Sequence, residues 1–462
     1  MLTAGQRRAG WGLARAVAAV ATALAAAGCS SGGAAGPADS VAQPPASTAT
    51  PASSPAADTA DAGTPPRVDP AWPRWGFTHT GVSANNVSPE LEQKVAGTLA
   101  TTPMVQNQHI MGFGALNPEP YPGQYYWEDL DSRLNLMKQS GATPVITLCC
   151  APDWMKGGPE GPTEESAWAE HLEDAPYPEY FDDFAKLSAA VASRYTDVRY
   201  FMVWNEFKGF WKDHSKPADY KGYTDMYNKV YDAVKAARPD AKIGGPYLGF
   251  DSDNTGSSEL RGPWGVVNQN ALDAFEYWYK NKKGADFIVV DGASPTETHD
   301  LLPDEFGALG KFSAVTSWLR ERTGDMPVWW SEWYFVPEDG STTWPEPKRL
   351  AVQAVSMMEF ARSGAATALY WNPQAKEGAC PGCLWAPTTG ALLPTGDLVT
   401  NFTRWFPAGA ELDEITSSDQ RVRVLAQPRR LVMVNTAATA VTATVDGEKV
   451  TLQPYEIRWA DR

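Results

Sequence analysis

From Trp72 onward the chain alternates short, nearly continuous apolar runs with longer stretches of helical period. The runs fall at 75–80, 104–110, 143–149, 199–204, 242–247, 286–290, 328–331 and 366–371 and predict eight strands. Between them "SPELEQKVAGTLA" opens on Ser88 as a cap with Pro89 in the first turn, a helix start. "WEDLDSRLNLMKQSG" keeps Leu130, Leu134 and Met137 on one face and stops at Gly141. Five further helical segments follow in turn, with a weaker eighth near 399–406. Strand and helix in strict alternation call for a parallel sheet with helical crossovers, and runs apolar at every position suit strands covered on both faces. An eight-fold closed barrel, the (β/α)8 or TIM barrel, is the simplest closure; an open doubly wound sheet is the rival, and the glycine-rich dinucleotide turn it favours does not follow the first run. After about residue 410 the pattern changes to period two, in "RVRVLAQ", "LVMVNT" and "AVTATVDGEKVTLQPYEIRWAD", with an Asp446-Gly447 hairpin turn. A small C-terminal β-sandwich is expected there, so the folded part divides into a barrel over 69–409 and an accessory domain over 410–462.

Ahead of the barrel the pattern is absent. Arg7, Arg8 and Arg15 precede an Ala/Val/Leu-rich core, and "AAGCSSGG" follows. This reads as an export signal over 1–29 whose Cys29 is a lipidated first mature residue, as in bacterial lipoproteins. Residues 30–68 are Ala, Pro, Ser, Thr and Gly with hardly a large apolar side chain. Such a segment cannot offset its ordering entropy by burial, so a disordered tether to the membrane is expected, with the barrel on the cell surface.

Charge narrows the partners. With 39 basic and 55 acidic side chains the net charge is −16, which repels phosphate backbones and argues against nucleic acid. The 19 Trp fit either a large buried core or faces for stacking on sugars. No phosphate loop, no Ser/His/Asp order and no convincing metal set is present, so no cofactor is expected; "DSDNTGSSELRG" has Gly262 where a calcium loop needs its bidentate Glu and reads as a polar loop.

Two runs end unexpectedly. "YFMVWNEF" carries five large apolar residues into Asn205 and Glu206, and "MPVWWSEW" reaches Glu332 in the same way three strands later. In a barrel of this kind such strand ends emerge at the C-terminal mouth, where the two carboxylates can converge. Two carboxylates over one cleft are the minimal equipment for breaking a glycosidic bond, one protonating the leaving oxygen and the other attacking the anomeric carbon or activating water.

With "VWNEF" on the fourth strand and "WWSEW" on the seventh, the chain resembles the clan A retaining glycoside hydrolases. "WEDLDSRLNLMKQSGATPVITLCCAPDWM", "GGPYLG" and "TLQPYEIRW" make it most similar to glycoside hydrolase family 39, the β-xylosidase and α-L-iduronidase group. The resemblance implies Glu206 as general acid/base, Glu332 as nucleophile and Asn205 as donor to the sugar 2-hydroxyl. It also implies a retaining spacing of roughly 5–5.5 Å between the carboxyls. Trp371 resembles the clan's aromatic platform for the innermost sugar. Phe207 stands where the family's usual motif has Pro, and residues around Ser331 differ, which leaves the sugar open.

Position at strand ends adds His79 and His109 as candidate sugar contacts, with Trp154, Tyr247 and Trp333 as weaker ones. Outside the cytoplasm, the four remaining cysteines should oxidise, Cys380 with Cys383 in a local bridge and Cys149 with Cys150 as a vicinal pair forming an apolar plate at the pocket floor. An oligo- or polysaccharide partner is expected, with no obligate protein partner. The alternative is a sugar-binding or envelope scaffold that kept the barrel without its chemistry.

Overall fold

The computed structural model describes residues 66–462 apart from 82, 84–87, 164–170, 212–217, 337–342 and 373–379. The signal and Cys29, with nearly all of the tether, lie outside the described residues. Residues from Ala62 onward form one compact unit.

Eight parallel strands close a barrel in chain order: β1 (Trp75–Thr78), β2 (Val105–His109), β3 (Thr143–Leu148), β4 (Tyr200–Val203), β5 (Lys242–Gly249), then β9 (Phe287–Ala293), β10 (Val328–Tyr334) and β11 (Thr367–Trp371), after the short β6 (Ser252–Asp253), β7 (Arg261–Gly262) and β8 (Gly265–Val267) in the loop beyond β5. Closure is direct, since β1 pairs with both β2 and β11. The helices α1 (Pro89–Ala100), α2 (Glu128–Gln139), α3 (Phe181–Arg194), α4 (Tyr220–Ala237), α5 (Gln269–Asn281), α6 (Gly310–Thr323), α7 (Glu346–Ser363) and α8 (Pro394–Trp405) each follow one barrel strand. Thus the eight runs and eight helical signals all become elements, and the closed barrel replaces the open-sheet rival.

Alternation along the strands sorts side chains into two layers. Val105, Val145, Tyr200, Met202, Phe287, Val289, Trp329 and Leu369 pack with one another inside the barrel. Trp72, from the segment before β1, closes on this cluster, its ring 5.9, 5.8 and 6.0 Å from those of Tyr200, Phe287 and Trp329. The intervening residues, among them Phe201, Val203, Ile288, Val290 and Trp330, join the helices in the larger core. Trp204, Trp278, Trp329, Trp330, Trp333 and Trp385 are fully buried, so much of the Trp content is spent on packing.

Beyond the barrel, β12 (Val422–Gln427), β13 (Arg430–Asn435) and β16 (Ile457–Asp461) form one antiparallel sheet, while β14 (Val441–Val445) and β15 (Glu448–Leu452) form a hairpin. Its turn has Asp446 and Gly447 at φ 50° and 82°, the left-handed pair that such a two-residue turn requires. Where the sequence called for a small β-sandwich there are thus a three-stranded and a two-stranded sheet sharing an apolar cluster of Val424, Met433, Val441 and Val445. Trp459 of β16 packs edge-to-face against Phe402 and Trp405 of α8 and fixes the larger sheet to the barrel's last helix.

Candidate active site

The chain leaves β4 through a contorted turn. Trp204, Glu206 and Phe207 all have positive φ, at 70°, 46° and 54°. Each costs about 1–3 kcal/mol for a side-chain-bearing residue and persists only where packing over-determines it. The packing is aromatic: Phe207 meets Tyr223 at 3.9 Å between rings, Trp204 meets Phe184 and Phe210, and Tyr223 donates its hydroxyl to Val203 O at 2.9 Å. The apolar half of "YFMVWNEF" therefore anchors a strained turn whose polar half faces the mouth. There Asn205 Nδ2 donates to Glu173 Oε1 at 2.6 Å, and Lys208 Nζ lies 2.5 Å from Glu206 and 3.0 Å from Glu173. The Glu206 side chain keeps 22% of its surface exposed.

Glu332 reaches the same place by a β-bulge. Strict alternation after Trp329 would point Ser331 inward and Glu332 at the helices. Register with β9 shifts between Trp330 and Glu332, so that Glu332 pairs with Asp291 and turns into the barrel. Thr78 Oγ1, donating to Ser331 O at 2.6 Å, and Ser331 Oγ, donating to Val290 O at 3.0 Å, hold the bulge. Both Glu332 oxygens are engaged: Tyr247 donates its hydroxyl to Oε1 at 2.5 Å and Tyr334 to Oε2 at 2.7 Å. Tyr247 has φ 53° next to a register shift of β5, which brings its ring inside the barrel.

A third carboxyl completes the group. Asp291 continues the inward phase of Phe287 and Val289 on β9 and is fully buried. One oxygen from each of Glu206, Asp291 and Glu332 lies within 4.8 Å of the other two. Two unit charges that far apart repel by about 3 kcal/mol at an effective dielectric of 20, so three carboxylates cannot all ionise near neutral pH. Burial, then the charge of Glu206, pushes Glu332 up to about 8 against its two tyrosine donors. Burial and the neighbouring Glu206 hold Asp291 well above the carboxylate range. Burial disfavours the charge on Glu206 too, but the adjacent Asp291 carboxyl and the Lys208 ammonium outweigh it and hold its pKa below the usual value.

Above these groups opens a cleft of about 440 Å³, lined by Glu206, Lys208, Trp211, Asp251, His299 and Tyr334 from the loops after β4, β5, β9 and β10. A reachable Glu206 thus lines the cleft, with the buried Glu332 next to it and the two carboxyls holding protons to different degrees. Such an arrangement can deliver a proton from one side and a nucleophile from the other.

The other candidates separate by side-chain direction. Trp371 is half-buried at the end of β11, its ring 6.1 Å from that of Tyr334 and edge-on to Phe113. His109 is fully buried behind Glu332, its Nε2 3.9 Å from Oε1; burial pushes it down to about 3, so the imidazole is neutral. His79 is turned away from any ligand: it is fully buried, with Nδ1 2.9 Å from Ser83 Oγ and Nε2 3.0 Å from Gln106 Oε1. Trp333, one residue past the inward Glu332, faces the helices and packs on Phe360 and Tyr370. Trp154 is buried with its Nε1 donating to Glu119 O at 2.9 Å. Tyr247 contacts Glu332 instead of lining the cleft.

Cys149 pairs with Cys150, and Cys380 with Cys383. The vicinal pair is fully buried in the core between barrel and helices, so the plate at the pocket floor that the sequence reading expected is not presented to a ligand. The polar loop at 251–262 carries β6 and β7, and its Asn254 donates to Asp300 at 2.5 Å.

Asp291, Lys208 and Tyr334 went unread in the sequence. For Asp291 a signal existed: "FIVVDG" is a third apolar run ending on a carboxylate. Ending that strand at Val290 left it one residue outside.

No protein-family model matches the chain, and the search of curated proteins finds no match. Solved structures are similar in fold. A family 39 β-xylosidase from Caulobacter crescentus is 15% identical, with 82% of this chain and 81% of that one covered at a TM-score of 0.52. A family 39 glycoside hydrolase from Bacteroides cellulosilyticus WH2 is 16% identical, with 86% and 82% covered at 0.52. An endo-β-1,4-mannanase from Thermotoga petrophila is 14% identical, with 85% and 91% covered at 0.52. The chain thus shares the closed eight-stranded parallel barrel of the family 39 glycoside hydrolases.

Proposed function

We propose that the protein is a retaining glycoside hydrolase acting on a xylosidic or related oligo- or polysaccharide at the cell surface. The observation that carries this reading is the convergence of Glu206 and Glu332, from strands three apart in the barrel, with oxygens within 4.8 Å. An inverting pair keeps roughly 6.5–9.5 Å between its carboxyls to admit water, so the closer approach favours double displacement. The glycosidases that share the fold point the same way.

Glu332 is the nucleophile in this reading. Two phenol donors hold both of its oxygens and solvate the carboxylate form, and its burial keeps water off the glycosyl ester that it forms. Glu206 is the acid/base. It lines the cleft, where leaving group and water arrive, and it must exchange protons with both. Its O–H bond breaks as the leaving oxygen is protonated and Glu332 attacks the anomeric carbon. In the second step the Glu206 carboxylate takes a proton from water, which displaces Glu332.

As the groups stand, the proton of the pair sits on Glu332, and Lys208 keeps Glu206 ionised. The productive form needs that proton on Glu206. A sugar hydroxyl that draws Lys208 away from Glu206 favours the transfer. The Lys208–Glu206 ion pair also supports a second reading, a barrel that binds sugar without cleaving it.

Hydrolysis of a panel of aryl glycosides, with the anomeric product followed by NMR, tells them apart. Release of the aglycone with retained configuration is the expected result. Sugar binding by calorimetry with no turnover of any bound sugar supports the second reading and ends the first.

The surface location rests on Cys29 and the tether. Cells fed an alkyne fatty acid should label the protein, and Cys29→Ser should remove the label; label that survives the substitution overturns the anchor.

A further inference from the structure

Asp291 is unlike its two neighbours in the cluster. Glu332 has a tyrosine hydroxyl on each oxygen, and Glu206 has Lys208. Among the described residues neither Asp291 oxygen meets an N–H or O–H donor, although the side chain is fully buried. A buried carboxylate without a donor or a cation is untenable; a buried carboxylic acid beside a carboxylate is a good hydrogen bond.

We propose that Asp291 is an un-ionised carboxylic acid whose O–H donates to Glu206 and holds the acid/base in place through both steps of the reaction. Glu206 is its acceptor because both Glu332 oxygens are already engaged. Asp291 is a positioning residue, and this role rests on the reading of Glu206 as acid/base. Its own proton never leaves; Glu206 loses and regains a different one.

The groups around the pair fix the sign of the effect. From the β4 turn come Glu206 and Lys208, from β5 Tyr247 and Asp251, from β10 Glu332 and Tyr334, and from β2 His109. Lys208 is the cation among them, and it is already bound between Glu206 and Glu173. An O–H donated to ionised Glu206 lowers the pKa of that group. Removing the donor raises it, so the alkaline limb of kcat/KM, which reports loss of the one proton that Glu206 and Glu332 share, moves up. An ionised Asp291 would have raised the Glu206 pKa by repulsion, and its removal would move the same limb down.

Two variants and one spectrum test this on the full exported protein. Asp291→Asn keeps an N–H donor of the same shape, so kcat/KM stays within about threefold of wild type. Asp291→Ala lowers it by about 10- to 100-fold and moves the alkaline limb up. A downward shift in either variant overturns the proposal, as does activity lost to a chelator and restored by a divalent cation. Infrared difference spectra of wild type minus Asp291→Asn settle the ionisation without any turnover. Above the Glu332 value of about 8, wild type should keep a carbonyl band of an un-ionised carboxylic acid that the variant lacks. Absence of that band sinks the proposal whether or not a sugar is cleaved. Its presence in a protein that cleaves nothing would uphold the acid and fail only the glycosidase reading.

Discussion

Glu332→Gly should lower turnover of an aryl glycoside by about 10⁴-fold or more, because it removes the carboxylate that forms the glycosyl ester. The His109 imidazole, 3.9 Å from that carboxylate, is fully buried and neutral and offers no replacement. The vacated space is bounded by Tyr247 and Tyr334, whose hydroxyls then point at nothing and can hold a small anion. Azide should therefore restore turnover and give a glycosyl azide of inverted configuration, since it attacks from the side that Glu332 occupied. Azide that restores Glu206→Gly in this way, and not Glu332→Gly, would exchange the two roles. That exchange has a physical basis in the present proton distribution, with Glu206 ionised and Glu332 at about 8.

Glu206→Ala should show a different signature. Loss of a general acid costs about 10²- to 10⁴-fold, but only where the leaving oxygen needs a proton. Substrates with a poor leaving group should lose the full factor. Activated aryl glycosides should lose little in the first step and accumulate the covalent intermediate, because the base for the second step is gone too. The alkaline limb of kcat/KM should disappear, since it reports loss of the proton that the pair shares and no acid is then left to lose it. An equal loss for good and poor leaving groups would mean that Glu206 supports the site without transferring a proton.

Most of the barrel was legible because parallel strands buried on both faces leave unbroken apolar runs, and all eight became strands. Their ends were less legible for the same reason. β5, β9 and β10 continue past the apolar run into Gly249, Ala293 and Tyr334, carrying polar side chains into the mouth. Asp291 was missed there. Strand-end position also says nothing of which way a side chain points. One bulge turns Glu332 in and Trp333 out, and no spacing in "WWSEW" announces it. Three positive φ values after Val203 set Trp204 among the helices and Glu206 in the cleft. His79 and Trp154 sit where a ligand contact was expected, but internal partners already satisfy them.

The most direct measurement is to trap the glycosyl enzyme. A 2-deoxy-2-fluoro glycoside with a good leaving group slows the second step, and intact mass followed by peptide mapping locates the sugar. The account predicts one glycosyl unit on the peptide carrying Glu332, absent from Glu332→Gln. A sugar attached to Glu206, or turnover with inverted configuration and no adduct, would contradict it.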